Sequence, residues 1–179
     1  VEKLDLFAIG ITDISPLAAL SGLKRLNIVG NNIADLRALS GLTSLEVLYA
    51  CENKISNLTP LAGLSKLRVL HLRKNFVSDL TPLSELSSML SLDLERNRVS
   101  DASALAGMNE LNWLALSFNQ VSDVSALAGT KNLRHLYLER NLLTSESDLS
   151  ALSKLRFLKT FSIRDNRVTD LSSLEGLDK

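Results

Sequence analysis

Cysteine occurs once, at Cys51, so the chain can form no internal disulfide and offers no more than one thiolate to a metal. Proline appears three times and glycine eight times in 179 residues, too few for a low-complexity or collagen-like chain. No charge of one sign dominates: 20 basic residues stand against 20 acidic ones. That balance gives no global field to favour nucleic acid or an anionic membrane. No apolar run approaches the roughly 20 residues that would span a bilayer, so membrane insertion is not expected. The sequence begins at Val1 without a charged-then-apolar leader, and any secretion signal is expected to have been removed or never to have existed. Aromatics make up only 4% of the residues, which makes their placement informative.

What is abundant is leucine at fixed spacing. A run of the form Leu-x-Leu-x-x-Asn, with conservative exchanges, ends at Asn31, Asn53, Asn75, Asn97, Asn119, Asn141 and Asn166. Successive gaps are 22 residues, except a last one of 25. Counting back 22 from Asn31 reaches Ile9, behind Leu4 and Leu6, so a further unit opens the chain. The reading is therefore eight units and no separate caps: 1–22, 23–44, 45–66, 67–88, 89–110, 111–132, 133–157 and 158–179.

Within a unit, position 17 is always Leu, and position 4 is Leu in seven units and Phe161 in the eighth. Positions 1, 6, 11, 14 and 20 are apolar too, apart from Thr130. One unit cannot bury so many apolar side chains against itself, but a stack can. Alternation such as Leu70-His71-Leu72 predicts a short strand per unit, and hence a parallel sheet with neighbours about 4.8 Å apart. The Asn of position 9 is expected to satisfy buried backbone groups where the chain turns off the sheet, a structural ladder.

The return half predicts one short helical turn per unit, of 3₁₀ type. Ser or Thr at position 15, followed by Pro16, Pro60 or Pro82, reads as an N-cap before the first helical residue. Gly41, Gly63, Gly107, Gly129 and Gly176 at position 19 read as a helix stop. Asp or Asn at position 13 suits an Asx-turn. The extra residues around 144–147 are expected to bulge at an edge. The open end would expose Leu158, Ile163, Val168 and Leu171.

This pattern is that of a leucine-rich repeat. The segments Asp-Ile-Ser-Pro-Leu at 13–17 and Asp-Leu-Thr-Pro-Leu at 79–83, together with Asn-x-Ile/Val-x-Asp, resemble the 22-residue repeats of the internalin family. The resemblance implies an α/β solenoid: a leucine-rich-repeat horseshoe with a parallel concave β-sheet and short 3₁₀ turns on the convex side. It also implies a protein-binding module, extracellular or on a bacterial cell surface, with a protein ligand and no cofactor. Alternatives are a cytoplasmic regulatory scaffold, similar to the SDS22 subunit of protein phosphatase 1, and a consensus-like solenoid with no natural ligand.

Six of the eight aromatics fall at outward positions of the sheet and its rim: Phe7, Tyr49, Phe76, Trp113, Phe118 and Tyr137. Core packing would place rings inward, whereas exposed Trp and Tyr beside Arg are what interface anchors are made of. The candidate ligand-binding residues are Tyr49, His71, Arg73, Asp93, Glu95, Trp113, Phe118, His135 and Tyr137. They read as two subsites. Trp113 and Phe118 with His135 and Tyr137 form one, and Val47 and Tyr49 with Val69 and His71 form the other. A charged band from Arg73 to Arg98 would lie between them, and the arginines are not expected to form one stripe.

Enzyme chemistry is not expected. Cys51, His71 and Asp93 fall on consecutive units, but an open sheet offers neither an oxyanion hole nor a pocket that excludes water. No metal site is expected either, since His71 and His135 are separated by three strand spacings, about 14 Å.

Overall fold

Strand-period segments recurring every 22 residues can pair only with their sequence neighbours, and the sheet follows that order. A computed structural model describes residues 1–147 and 149–175. It holds β1 (Lys3–Asp5), β2 (Arg25–Asn27), β3 (Val47–Tyr49), β4 (Val69–His71), β5 (Ser91–Asp93), β6 (Trp113–Ala115), β7 (His135–Tyr137) and β8 (Thr160–Ser162). All pair in parallel, in the order β1 to β8, and the sheet does not close on itself. Equivalent leucines stand side by side from Leu4↔Leu26 to Leu136↔Phe161.

Each return segment carries a 3₁₀ turn, such as Thr59–Leu61, Thr81–Leu83 and Ser103–Leu105. Turns are wider than strands, so stacking bends the solenoid with the sheet on its concave side. The core between the two layers is one continuous ladder, in which Leu26, Leu48, Leu70, Leu92, Leu114 and Leu136 are fully or almost fully buried. Thr130, the polar exception, is buried with its hydroxyl donating to the Leu127 carbonyl at 2.7 Å. At the last unit the ladder thins: Leu158, Ile163 and Val168 are partly buried against the core, while Leu171 is 55% exposed.

The asparagine at position 9 joins two units at once. The Asn119 amide donates to the Leu94 carbonyl of the preceding unit and to Leu116 of its own, both at 2.9 Å. Its Oδ1 accepts the Val99 N–H, also from the preceding unit, at 2.9 Å. The same arrangement repeats at Asn31, Asn53, Asn75, Asn97, Asn141 and Asn166. Just before it, position 8 takes a left-handed conformation in every unit, with φ between 51° and 58° at Ala8, Glu52, Lys74, Arg96, Phe118, Arg140 and Asp165. Gly30, at φ 72°, is the one residue of that row with no steric penalty there. The strained residues are held by the stack: Lys74 donates its N–H to the Glu95 carbonyl and Phe118 to that of Glu139, both at 2.8 Å.

Two expectations about the return side are corrected. Outside the lengthened unit the turns begin at position 15 itself, and the hydroxyls of Ser15, Thr59, Thr81, Ser103, Ser125 and Ser172 do not cap them. The acceptor is the residue at position 13: Asp79 Oδ1 takes the Thr81 N–H at 2.8 Å, and Asp101 takes that of Ser103 at the same distance. The hydroxyls of Ser15 and Ser125 instead donate to the neighbouring carboxylates, Asp13 and Asp123. A carboxylate two residues back is the stronger acceptor, so the hydroxyl becomes a donor.

The glycines of position 19 are also not left-handed stops. Gly41 and Gly63 have ordinary φ and open space around them. Among the described residues of that position, Gly129 alone is sterically required, because a Cβ there would run into the Ala106 carbonyl oxygen. Gly176 lies outside the described residues. The inserted segment is tied in rather than loose: Ser147 Oγ donates to the Ser122 carbonyl at 2.9 Å, and Thr144 bridges in parallel to Arg167.

Two outcomes follow for stability. Replacing Asn119 by Ala orphans the buried Val99 N–H and removes one of two donors from the Leu94 and Leu116 carbonyls, which keep Asn97 and Asn141. It should cost roughly 1–3 kcal/mol in chemical denaturation; an unchanged midpoint would contradict the role given to the amide. Hydrogen bonds from Thr81 hold the Asp79 carboxyl below its usual range, so its contribution is present at neutral pH and lost as pH falls through that lowered value. Asp79→Ala should therefore lower the melting temperature at pH 7 more than Thr81→Ala, and the two should converge in acid.

Candidate interaction face

Of the outward residues at positions 3 and 5, those of β3, β4, β6 and β7 include rings, and the small residues between them decide which rings meet. Tyr49 and His71 pack at 5.1 Å between centroids. His71 then reaches Trp113 at 5.8 Å, and Trp113 reaches Tyr137 at 5.8 Å. The His71–Trp113 contact spans β5, whose outward residues are only Ser91 and Asp93. Four rings thus form one unbroken row over five strands. The two separate subsites expected from the sequence are joined by the His71–Trp113 contact, and of the charged band only Asp93 stands within the row, on β5.

Phe118 and His135 leave that row. Phe118 lies under two guanidinium groups, Arg96 at 4.1 Å and Arg140 at 5.0 Å, while Arg98 covers Phe76 at 4.8 Å. His135 Nδ1 meets Thr160 Oγ1 at 3.1 Å. Arg73 and Arg96 both approach one oxygen of Glu95, at 3.5 and 3.3 Å. The Arg73 Nε is buried without a hydrogen bond, so its link to Glu95 is electrostatic. Six of the eleven arginines, Arg73, Arg96, Arg98, Arg140, Arg164 and Arg167, lie on the rim of the later units, and the other five lie elsewhere.

Trp113 divides two open depressions. On the rim side, one of about 350 Å³ has the small Ala115 and Ser117 in its floor, with Trp113, Tyr137, Phe118 and Glu139 around them. On the opposite side, one of about 480 Å³ lies between Trp113, Arg134 and Phe157. Phe157 is 59% exposed and was not among the residues singled out from sequence; its signal was a ring at the end of the one lengthened unit.

Burial sets the protonation states along the row. It lowers the His71 imidazole below its ordinary value and pushes the Asp93 carboxyl up, the N–H of Glu95 only partly offsetting this. Burial also opposes the charged form of Glu139, but hydroxyls of Ser117 and Ser162 hold it below the usual carboxylate range. The Cys51 thiol is pushed up to about 11 by burial and by the charge of Asp93. His71 Nε2 meets Ser91 Oγ at 3.0 Å. Cys51, His71 and Asp93 thus make no nucleophile–base–acid relay: the thiol stays protonated and the imidazole is engaged elsewhere. Among the described residues no group of acidic, His or Cys side chains could hold a metal ion, and no helix is long and apolar enough to cross a membrane.

A stack of 22-residue units with an asparagine ladder and an open sheet face defines a leucine-rich-repeat solenoid, and the chain belongs to that family. A model of two-copy leucine-rich repeats matches residues 21–63 and 43–88, and a second leucine-rich-repeat model matches 91–143. Within the family its repeats resemble those of the internalins. An internalin (inlF) from Listeria monocytogenes is 35% identical over 97% of this chain, with a TM-score of 0.93. The chain spans 50% of that protein's length. Internalin C2 from the same organism is 33% identical over 99% of this chain and 77% of its own, with a TM-score of 0.94. The plant peptide hormone receptor RGFR1 in complex with RGF2, at 19% identity, shares the fold over 88% of this chain and 27% of its own, with a TM-score of 0.77. No match to a curated protein was found.

The lowered imidazole makes a checkable statement. With its folded value below the unfolded one, His71 binds a proton more readily in the unfolded chain, so stability should fall as pH drops below the ordinary imidazole range. His71→Gln should flatten that part of the stability-against-pH curve; an equally steep loss in the variant would remove His71 as its source.

Proposed function

We propose that this chain is a protein-binding module, extracellular or on a bacterial surface, whose concave face receives a protein ligand. The carrying observation is the unbroken row Tyr49, His71, Trp113 and Tyr137, half-buried rings gathered on an open sheet where folding does not require them. A ring already held by its neighbours loses little freedom on binding, so more of its buried area appears as affinity. Arg73, Asp93, Glu95 and His135 supply polar contacts that fix a partner's register, and Phe118 adds an apolar one. Protein ligation suits the shape, since the depressions are open and shallow. The plant receptor that shares the fold is likewise in complex with its peptide hormone.

The folded chain, immobilised, is offered host-surface and cytosolic extracts, and the affinity of the captured protein is measured for variants. Trp113→Ala and Tyr137→Ala should each weaken binding by about 2 kcal/mol or more. Lys154→Ala, on the convex 3₁₀ turn Leu149–Lys154, should leave it unchanged. Circular dichroism confirms that each variant is folded. Binding that survives loss of both rings, or that depends on Lys154, would contradict the concave-face reading.

A further inference from the structure

The chain's net charge of zero conceals a segregation. Residues 73–76, 95–98, 117–120, 139–142 and 164–167 form the rim where units four to eight leave the sheet. They hold seven basic side chains against three carboxylates. The same positions of the first three units, 7–10, 29–32 and 51–54, hold one of each. The surplus is therefore confined to the part of the solenoid that also carries most of the aromatic row.

Four of the seven rim cations are ion-paired: Lys74 with Glu52 at 2.7 Å, Arg140 with Asp165 at 2.9 Å, and Arg73 and Arg96 with Glu95. The surplus of positive charge therefore rests on Arg98, Arg164, Arg167 and the doubly used Glu95. Arg98, exposed, has a ring rather than a carboxylate as its partner, lying over Phe76. Arg96 and Arg140 bracket Phe118 from either side. Arg140 Nε donates to Asp165 and Arg96 Nε faces Glu95, so these two keep only part of their N–H edge for a ligand. Arg98 on its ring, by contrast, can offer a carboxylate a two-pronged edge. Phe118 holds its place in a left-handed conformation that a bulky side chain rarely adopts.

We infer that this rim is a docking strip for an acidic segment of a protein partner. The proposal rests on the concave-face reading and extends it: the partner's apolar part covers the aromatic row while an Asp/Glu-bearing segment crosses the rim. Spacing fits. The guanidinium groups of Arg96 and Arg140 lie 4.1 and 5.0 Å from the Phe118 ring centre, hence within about 9 Å of each other, and same-face side chains two residues apart in an extended segment recur about every 7 Å. A protein segment also suits the strip better than a uniform polyanion. Glu95, Glu139 and Asp165 interrupt it and would repel a backbone charged at every step, whereas a peptide can place its acids selectively.

The test measures binding of a fluorescein-labelled oligoglutamate peptide to the whole folded chain at low salt. A heparin oligosaccharide and a single-stranded DNA oligonucleotide run in parallel. Oligoglutamate should bind, weaken as salt rises, and bind at least roughly tenfold more weakly to Arg96→Gln/Arg98→Gln. Lys131→Gln/Arg156→Gln, which removes the same charge from exposed sites elsewhere, should bind as the parent does. Absence of oligoglutamate binding, equal weakening in both double variants, or tighter binding of heparin or DNA would overturn the proposal. The two readings fail separately. If the captured protein partner is lost on Trp113→Ala/Tyr137→Ala but unaffected by Arg96→Gln/Arg98→Gln, the concave face stands and the rim does not.

Discussion

The buried amide of the repeating asparagine carries most of the architecture. A short strand that turns sharply off a sheet leaves backbone groups facing the interior, and each unpaired group there costs about 1–3 kcal/mol. Asn119 answers carbonyls in two units and an N–H in the earlier one, so neither unit is complete without the other. Leucines could slide along a greasy interior; an amide that donates and accepts at fixed distances cannot. The ladder therefore sets the register, and the register sets which outward side chains become neighbours.

That constraint explains the strain that accompanies it. Position 8 lies between the strand and the asparagine and turns left-handed in each unit, although most of the residues there carry side chains. The cost, about 1–2 kcal/mol for a non-glycine residue, is offset because the same N–H reaches the next unit's carbonyl. The turn also aims the side chain out over the rim. Arg96, Phe118 and Arg140 meet there because three consecutive units repeat one unusual backbone conformation.

Much of this was legible in the sequence, for a physical reason. A 22-residue period with invariant leucine positions leaves one way to bury the apolar side chains, and parallel strands with 3₁₀ returns follow. The candidate rings and arginines could be placed on the outward side by the same count. Their partners could not. Whether His71 meets Trp113 depends on Ser91 being small two strands' width between them, a diagonal relation that a linear count treats as a gap. The left-handed turn at position 8 was hidden because Glu52, Lys74, Arg96 and Phe118 carry no glycine signal; the stack imposes the conformation. Ser and Thr at position 15 were misread as caps because the N–H groups a hydroxyl there would take, those of Leu83 and Ser84 in the Thr81 turn, go to the Leu80 and Thr81 carbonyls, while Asp79 takes the N–H of Thr81 itself.

Function then reduces to what an indifferent scaffold displays. The core ladder is built from inward residues, yet the outer face carries a joined row of rings beside a basic rim. Trp113 is the chain's one tryptophan and stands at the centre of that row, between both depressions. Its fluorescence therefore reports the proposed contact without any substitution. The most direct measurement is acrylamide quenching of Trp113 in the free chain and in the complex with its captured protein partner, using a partner fragment without tryptophan. The account predicts that the half-exposed indole of the free chain becomes shielded, with a marked fall in the quenching constant. An unchanged constant in a saturated complex would place the partner elsewhere on the solenoid and contradict the concave-face reading.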